Sequence, residues 1–394
     1  MGQWCTKDDS APKNAKKDRY QQDDSAAAAG TEASPILSQN SNRAKDFKGF
    51  KSLFGDEAAL CIIPIGRPTQ YSFICGGEDR KLHLGRWDNG RDHVSWKAHT
   101  NDINKLDYDA TSHVVYSCSR DKNIKSWKLV DFDAPNSASD VAAQGGPSCG
   151  VFEGHVLPVT GISLSPDGNR LASGSRDNTT RLWDTSRCEL LATQDVKLNI
   201  VHWVQWIDEF GVVAQGGEDL TVRLWDFRSQ GAGDYLSLEA TLANFDYHPI
   251  CVSRHATKPE ILYTGHNGFN GQGAMVTEWD LRQRKQVQHF SGTHTNTVRR
   301  VLHSTTLAGY DGRSVVLSAS DDESICVWDT EKGSLLQQYH VSEGRVSCMM
   351  EDPVEHNVLL SLRSGGVMVG RFEDPLKAGD ASPRLQRLRY FGDW

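Results

Sequence analysis

Residues 173–184 read SGSRDNTTRLWD and end in a Trp-Asp pair, with an aspartate six positions before the tryptophan. The same arrangement recurs as GGEDLTVRLWD at 216–226, as SASDDESICVWD at 318–329 and, without the final aspartate, as SCSRDKNIKSW at 117–127. A polar turn between two short runs rich in apolar residues predicts a β-hairpin. The chain therefore repeats one hairpin, which is typical of folds in which each unit buries its apolar surface against the next.

Weaker copies extend this series. One ends at Trp279, and two others carry Gly85 and Gly370 where the tryptophan would stand. The copies thus end near positions 85, 127, 183, 225, 279, 328 and 370, at intervals of 42, 56, 42, 54, 49 and 42 residues. Seven copies predict seven structural units.

The pattern resembles the WD40 repeat, whose family forms β-propellers with four strands per blade and a period of about 40 to 45 residues. The resemblance implies an all-β fold, a single seven-bladed propeller over residues 46–372, followed by a C-terminal tail at 373–394. The composition of residues 1–45, rich in Lys, Asp, Gln, Ala and Ser, predicts a disordered leader. In the family a strand from outside the last repeat completes the last blade. We expect Phe47–Phe54 to pair with the strands between Val346 and Phe372, and the alternative is closure by Leu385–Tyr390.

The resemblance also implies a buried hydrogen-bond relay of His, Ser, Asp and Trp within a repeat. Three copies carry all four residue types: His99, Ser117, Asp121 and Trp127; His155, Ser173, Asp177 and Trp183; His294, Ser318, Asp322 and Trp328. A Ser-His-Asp set raises the question of a hydrolase. Because these sets recur at fixed positions and each ends at an indole donor, we interpret them as structural and predict that the protein is not an enzyme.

The composition excludes several classes of protein. The 11 Trp, 10 Tyr and 13 Phe among 394 residues argue against disorder for most of the chain. No run of 18 apolar residues and no secretory signal is present. Nine cysteines without a C-x-x-C pair predict reduced thiols and no metal site. The net charge of -8 argues against nucleic acid as the main partner. We expect a cytoplasmic protein, monomeric outside complexes, that binds other proteins and takes no cofactor or small-molecule substrate.

The first six residues, MGQWCT, fit the motif M-G-x-x-x-[ST], in which Gly2 accepts myristate after Met1 is removed. Cys5 can accept a palmitoyl chain, and the basic residues Lys13, Lys16, Lys17 and Arg19 follow. One myristoyl chain binds a membrane with only about 10⁴ M⁻¹, so a stable anchor needs a second signal. The motif predicts a lipidated leader that holds the propeller at the inner face of a membrane. The alternative is an unmodified flexible tail.

Partner contacts are expected on the propeller face that carries the turn aspartates. The residue before the aspartate projects from that face, and it is charged in Arg120, Arg176 and Glu218, as it is in Glu78 and Asp321. The alternative is ordinary solvated charge. In the fifth unit NGFNGQG (267–273) replaces the tight turn. No Lys-Ser/Thr pair follows its glycines, so a phosphate-binding loop is excluded. We expect Phe269 to be an exposed anchor for a partner.

Two further resemblances concern function. The boxes at 225–228 and 279–282 read WDFR and WDLR, and they resemble those by which substrate receptors of cullin-4 ubiquitin ligases dock on their adaptor. Arg228 and Arg282 would then present planar donor forks at the opposite rim, and the alternative is that each pairs with the preceding aspartate. A set of segments resembles a WD-repeat group associated with cilia and with ciliary small-GTPase and cargo traffic, which implies a cilium or flagellum. These segments are residues 159–161, 165–167, 174–179, 267–273 and 278–283.

Overall fold

The computed structural model describes residues 54, 57–67, 70–86, 93–129, 148–196, 199–207, 211–227, 237–242, 245–310, 312–372 and 385–390. These residues belong to the compact unit Gly49–Trp394. Their regular structure consists of β-strands. Over these ranges the chain contains no helix long and apolar enough to cross a membrane.

Seven four-stranded antiparallel sheets form from these ranges, and each contains four consecutive strands. Blades 1 to 4 comprise β1 (Ala59–Arg67), β2 (Gln70–Gly77), β3 (Lys81–Arg86), β4 (His93–Lys97); β5 (Ile103–Asp109), β6 (Val114–Ser119), β7 (Ile124–Lys128), β8 (Ser148–Phe152); β9 (Val159–Leu164), β10 (Arg170–Ser175), β11 (Thr179–Asp184), β12 (Glu189–Asp195); β13 (Val201–Trp206), β14 (Val212–Gly217), β15 (Val222–Asp226), β16 (Ser237–Leu242). Blades 5 to 7 comprise β17 (Pro249–Arg254), β18 (Ile261–His266), β19 (Val276–Asp280), β20 (Lys285–Phe290); β21 (Val298–Ser304), β22 (Val315–Ser320), β23 (Ser324–Asp329), β24 (Leu335–His340); β25 (Val346–Glu351), β26 (Val358–Leu362), β27 (Val367–Phe372), β28 (Leu385–Tyr390). The prediction of a seven-bladed propeller is confirmed.

The strand order defines two faces of the propeller. The top face carries the turns between the second and third strands of each blade and the loops that lead into the next blade. The bottom face carries the remaining turns. The Trp-Asp hairpins of the repeat are the second and third strands, as in β10 and β11, where Leu171 pairs with Trp183.

The hydrophobic core lies between neighbouring blades. Its buried residues form seven clusters over the described ranges, and each cluster draws on two adjacent blades. Trp183, for example, packs with Tyr116 and Phe152 between blades 2 and 3. Because each blade covers both neighbours, the seven units bury their apolar surface only as a ring.

Hydrogen bonds join the inner strands around the ring. At each junction one side chain of an inner strand donates to a backbone carbonyl of the next inner strand. The donors and acceptors are Cys61 to Ile103, Asn104 to Val159, Thr160 to Val201, Trp203 to Pro249, Cys251 to Val298, Arg300 to Ser347 and Cys348 to Ile62. The last of these closes the ring between blades 7 and 1.

The last blade corrects one expectation. Its fourth strand is β28, which pairs with β27 from Met368 opposite Tyr390 to Phe372 opposite Leu385. The prediction that Phe47–Phe54 supplies the fourth strand of the last blade is therefore wrong. The alternative, closure by Leu385–Tyr390, is confirmed. Residues 47–53 lie outside the described residues, whereas Phe54 is buried between blades 7 and 1. Because β28 belongs to this blade, the propeller includes residues of the predicted C-terminal tail (373–394).

The copies without tryptophan are genuine blades. Gly85 lies in β3 opposite Phe73, and Gly370 lies in β27 opposite Val358. A Cβ atom at Gly85 would lie 2.8 Å from Cζ of the buried Phe73. The phenylalanine ring thus occupies space next to Gly85, where other blades carry the indole.

Candidate partner-binding face

The three complete relays have one geometry. In blade 3 the ring of His155 lies 2.9 Å from the Asp177 carboxylate through Nδ1 and 2.8 Å from Ser173 Oγ through Nε2, and Trp183 Nε1 donates to the same Oγ at 2.8 Å. The equivalent contacts hold His99, Ser117, Asp121 and Trp127 in blade 2, and His294, Ser318, Asp322 and Trp328 in blade 6.

The aspartate carboxylate at the end of each relay determines which atoms of the histidine donate hydrogen bonds. A carboxylate only accepts, so Nδ1 of each histidine donates to its aspartate. Burial lowers the pKa of His155, so its neutral ring accepts the Ser173 hydroxyl through Nε2. In blade 6 burial is outweighed by the contacts with Asp322 and Cys326, which raise the pKa of His294 to about 9, so both of its ring nitrogens donate.

Burial raises the pKa of Asp121, but the hydrogen bond from His99 and those from the backbone N–H groups of Thr100 and Asn123 together outweigh it and lower that pKa to about 2. The serine hydroxyl is fully buried in all three copies. Since it is shielded from solvent and already serves as acceptor for the indole, it is a structural link and not a nucleophile.

Other blades satisfy their tryptophan differently. Trp225 Nε1 donates to Gln215 Oε1 at 2.9 Å in blade 4, and Trp279 Nε1 donates to Thr264 Oγ1 at 3.1 Å in blade 5. The threonine also lies 3.1 Å from Nε2 of His266. Burial lowers the pKa of that histidine to about 4, so it is neutral near pH 7. Sequence reasoning missed these substitutes, although each lies ten or fifteen residues before its tryptophan on the preceding strand.

The top face has a regular framework. In every blade the backbone N–H after the second strand donates to a carbonyl at the entry to the first strand, as from Arg176 to Pro158 at 3.0 Å. The seven donors are Glu78, Arg120, Arg176, Glu218, Asn267, Asp321 and Arg363. The sequence-predicted residues thus occupy equivalent places on this face. Arg363 was missed because no turn aspartate follows it, yet it comes directly after β26 as Arg120 comes after β6.

Some charged side chains on the top face lie next to an oppositely charged side chain, and others do not. Arg120 Nη1 lies 2.8 Å from Asp102, and its side chain is 51% exposed. Glu218 lies 3.8 Å from His202. Arg176 and Arg363 are exposed and, within the described ranges, have no side-chain hydrogen bond or ion pair. Two guanidinium groups are therefore available to a partner.

Phe269 stands at the tip of a clamped loop. Its side chain is 72% exposed. Its backbone N–H donates to Gln272, and Asn270 and Gly271 between them have φ values of 51° and 77°, as a tight turn with two left-handed residues requires. The loop is tied to blade 6 because Gly271 N–H donates to the Thr295 carbonyl at 2.9 Å. An exposed ring on a fixed support loses little conformational entropy on binding.

The remaining predicted sites lie elsewhere. Arg282 is at the bottom face with its side chain 76% exposed, and its Nη2 lies 3.8 Å from Glu260. The Asp280 carboxylate accepts the Arg282 backbone N–H and does not pair with its guanidinium. Arg228, Gly2 and Cys5 lie outside the described residues. No group of three His, Cys, Asp or Glu side chains could hold a metal ion in the part of the chain that the structure describes.

Comparison with known proteins supports the repeat. The model of the WD40 family (WD domain, G-beta repeat) matches residues 90–128 and 146–184. The chain is 25% identical to the nuclear distribution protein nudF of Aspergillus niger over 76% of its length, and 22% identical to the nuclear distribution protein PAC1 of Arthroderma otae over 73%. It is 28% identical to human F-box/WD repeat-containing protein 9 over 51%. The chain covers 65%, 62% and 41% of these relatives, respectively. The chain is accordingly a seven-bladed β-propeller that contains repeats matching the WD40 model at residues 90–128 and 146–184.

Proposed function

We propose that this protein is a non-catalytic scaffold that binds protein partners through its top face. The clamped loop that presents Phe269 is the observation that carries this proposal. The exposed Arg176 and Arg363 lie on the same face. WD40 propellers are generally scaffolds of this kind. The three relatives have names that point to different roles, so they support the scaffold and not a single process.

The scaffold is tethered to the inner face of a membrane through acyl chains on Gly2 and Cys5. This step rests on the motif MGQWCT and on the nearby basic residues. The two acyl chains together hold the protein at the membrane more firmly than one chain does.

The membrane that we favour is that of a cilium or flagellum. Residues 159–161, 174–179 and 278–283 resemble WD repeat-containing protein 31. This resemblance is the sole support for a role in ciliary membrane traffic or small-GTPase regulation.

A cullin-4 substrate receptor is the alternative. Its support is the exposed guanidinium of Arg282 at the bottom face, which belongs to one of the two W-D-x-R boxes. A ligase adaptor would then bind the bottom face while substrates bind elsewhere.

Replacing Phe269 by alanine is expected to weaken a partner's affinity by about 2 kcal/mol or more, because a buried aromatic anchor dominates many interfaces. The melting temperature should stay unchanged, since the ring is exposed in the free protein. Quantitative affinity purification and thermal unfolding of the full chain measure both effects.

Arg282→Ala is the matched control on the bottom face. It should leave the captured proteins unchanged if the top face binds them. Loss of captured proteins with Arg282→Ala but not with Phe269→Ala would instead favour the ligase alternative. A large fall in the melting temperature of Phe269→Ala would mean that the ring is structural.

A further inference from the structure

A cavity of about 510 Å³ opens where the seven inner strands meet. Each inner strand has a bulge near its start, and the unpaired residue of every bulge lines this cavity. These seven residues are Leu60, Asn104, Thr160, His202, Ile250, Arg299 and Ser347. The bulges occur at the top-face end of the strands, so this end of the central channel is wide and open to partners that approach the top face.

The cavity wall is strongly basic. Five arginines line it and no carboxylate does. They are Arg120, Arg176, Arg299, Arg300 and Arg363. Carboxylates outside the lining compensate two of them, because Arg120 lies 2.8 Å from Asp102 and Arg299 lies 2.7 Å from Asp321. Three positive charges therefore remain without an acidic partner among the described residues.

The positive charges of the channel affect the pKa of the buried Cys348 thiol. Burial by itself raises the pKa of Cys348, but Arg300, Lys105 and two backbone hydrogen bonds together bring that pKa below its ordinary value. The Arg300 guanidinium also donates through Nε to the Ser347 carbonyl at 2.9 Å, which holds it in the channel. This hydrogen bond fixes Arg300 at the cavity wall.

An apolar shoulder adjoins the cavity at blade 3. Val156 and Leu157 are 64% and 46% exposed, and Pro158 lines the cavity itself. The Pro158 carbonyl accepts the backbone N–H of Arg176 at 3.0 Å, so this shoulder lies next to an arginine without a partner. A peptide can place an anionic group in the cavity and an apolar neighbour on the shoulder. A free inositol phosphate has no apolar part that could cover the shoulder formed by Val156 and Leu157.

We propose that this cavity binds a phosphorylated side chain within a segment of a protein partner. Arg176 and Arg363 hold the phosphate oxygens, since the planar guanidinium fork matches phosphate geometry. Residues that flank the phosphate pack on Val156 and Leu157. The inference rests on the proposed scaffold function and adds the chemistry that the top face recognises.

Fluorescence anisotropy of the full chain with labelled peptides tests this site. The probe is a heptapeptide with one phosphoserine between two leucines, compared with the same peptide carrying serine or glutamate. We expect the phosphopeptide alone to bind well. Arg176→Ala and Arg363→Ala should each weaken it about tenfold or more, because a charge-assisted hydrogen bond is lost. Arg187→Ala, which removes an exposed charge from the bottom face, should leave the affinity unchanged.

Several results would overturn the inference. The first is that the serine or glutamate peptide binds as tightly as the phosphopeptide. The second is that Arg187→Ala weakens binding as much as Arg176→Ala or Arg363→Ala does. The third is that tripolyphosphate binds as tightly as the phosphopeptide. Binding to vesicles that contain phosphatidylinositol bisphosphate, lost in Arg176→Ala but without binding of the phosphopeptide, would assign the cavity to a lipid headgroup. If the phosphopeptide fails while Phe269→Ala still loses a partner, only this inference falls and the scaffold function stands.

Discussion

Replacing Ser173 by alanine should lower the free energy of unfolding by about 3 kcal/mol. The hydroxyl is fully buried and makes two hydrogen bonds, one to His155 Nε2 and one from Trp183 Nε1. Removing it leaves both nitrogens buried without a partner, and each such group costs about 1 to 3 kcal/mol. Urea denaturation followed by tryptophan fluorescence measures the change.

Ser186→Ala is the control for this substitution. Ser186 is exposed and bonds only to Asp184 in its own turn, so its removal should cost about 0.5 kcal/mol or less. A similar small effect for both variants would contradict the structural role of the relay. Unchanged stability together with loss of a hydrolytic activity would restore the catalytic interpretation of the Ser-His-Asp set.

Gly2→Ala should move most of the protein from the membrane to the soluble fraction. Alanine at this position cannot accept myristate, and a chain that never reaches the membrane has little access to palmitoylation at Cys5. Cys5→Ser should have a smaller but clear effect, since a single myristoyl chain binds only reversibly. Fractionation of cells that express each full-length variant measures the distribution.

Cys149→Ser provides a matched control for the cysteine variant. Cys149 is an exposed thiol on β8, so its replacement removes a thiol from the propeller and not from the leader. It should leave the distribution unchanged. If Gly2→Ala and Cys5→Ser both fractionate like the natural chain, the leader is not an anchor.

The relays could be predicted from the sequence because their spacing is largely local. An aspartate six residues before a tryptophan fixes the hairpin register, so Asp177 and Trp183 come to the ends of one short strand. The histidine precedes the same blade by a short loop. The substitutes in blades 4 and 5 bond the indole with other residue types, and they escaped a search for His, Ser and Asp.

The closure of the ring could not be predicted in the same way. β28 carries no repeat signature, and its place beside β27 depends on a pairing between two segments that are separated by residues 373–384. The cavity was also missed, since its arginines come from separate blades. Arg299 and Arg300 are nevertheless visible in the sequence as two adjacent charges within an apolar strand. The bulge at Arg299 lets both of them line the cavity, and Arg300 also donates to the next blade.

Cross-linking mass spectrometry of the native complex tests the central claim, that the top face binds the partner. Exposed lysines mark both faces: Lys81, Lys97 and Lys122 lie at the top, and Lys258 and Lys332 lie at the bottom. The account predicts links to a second protein from the top lysines, Lys122 above all because it adjoins Arg120. Links to partners from Lys258 and Lys332 alone would contradict it.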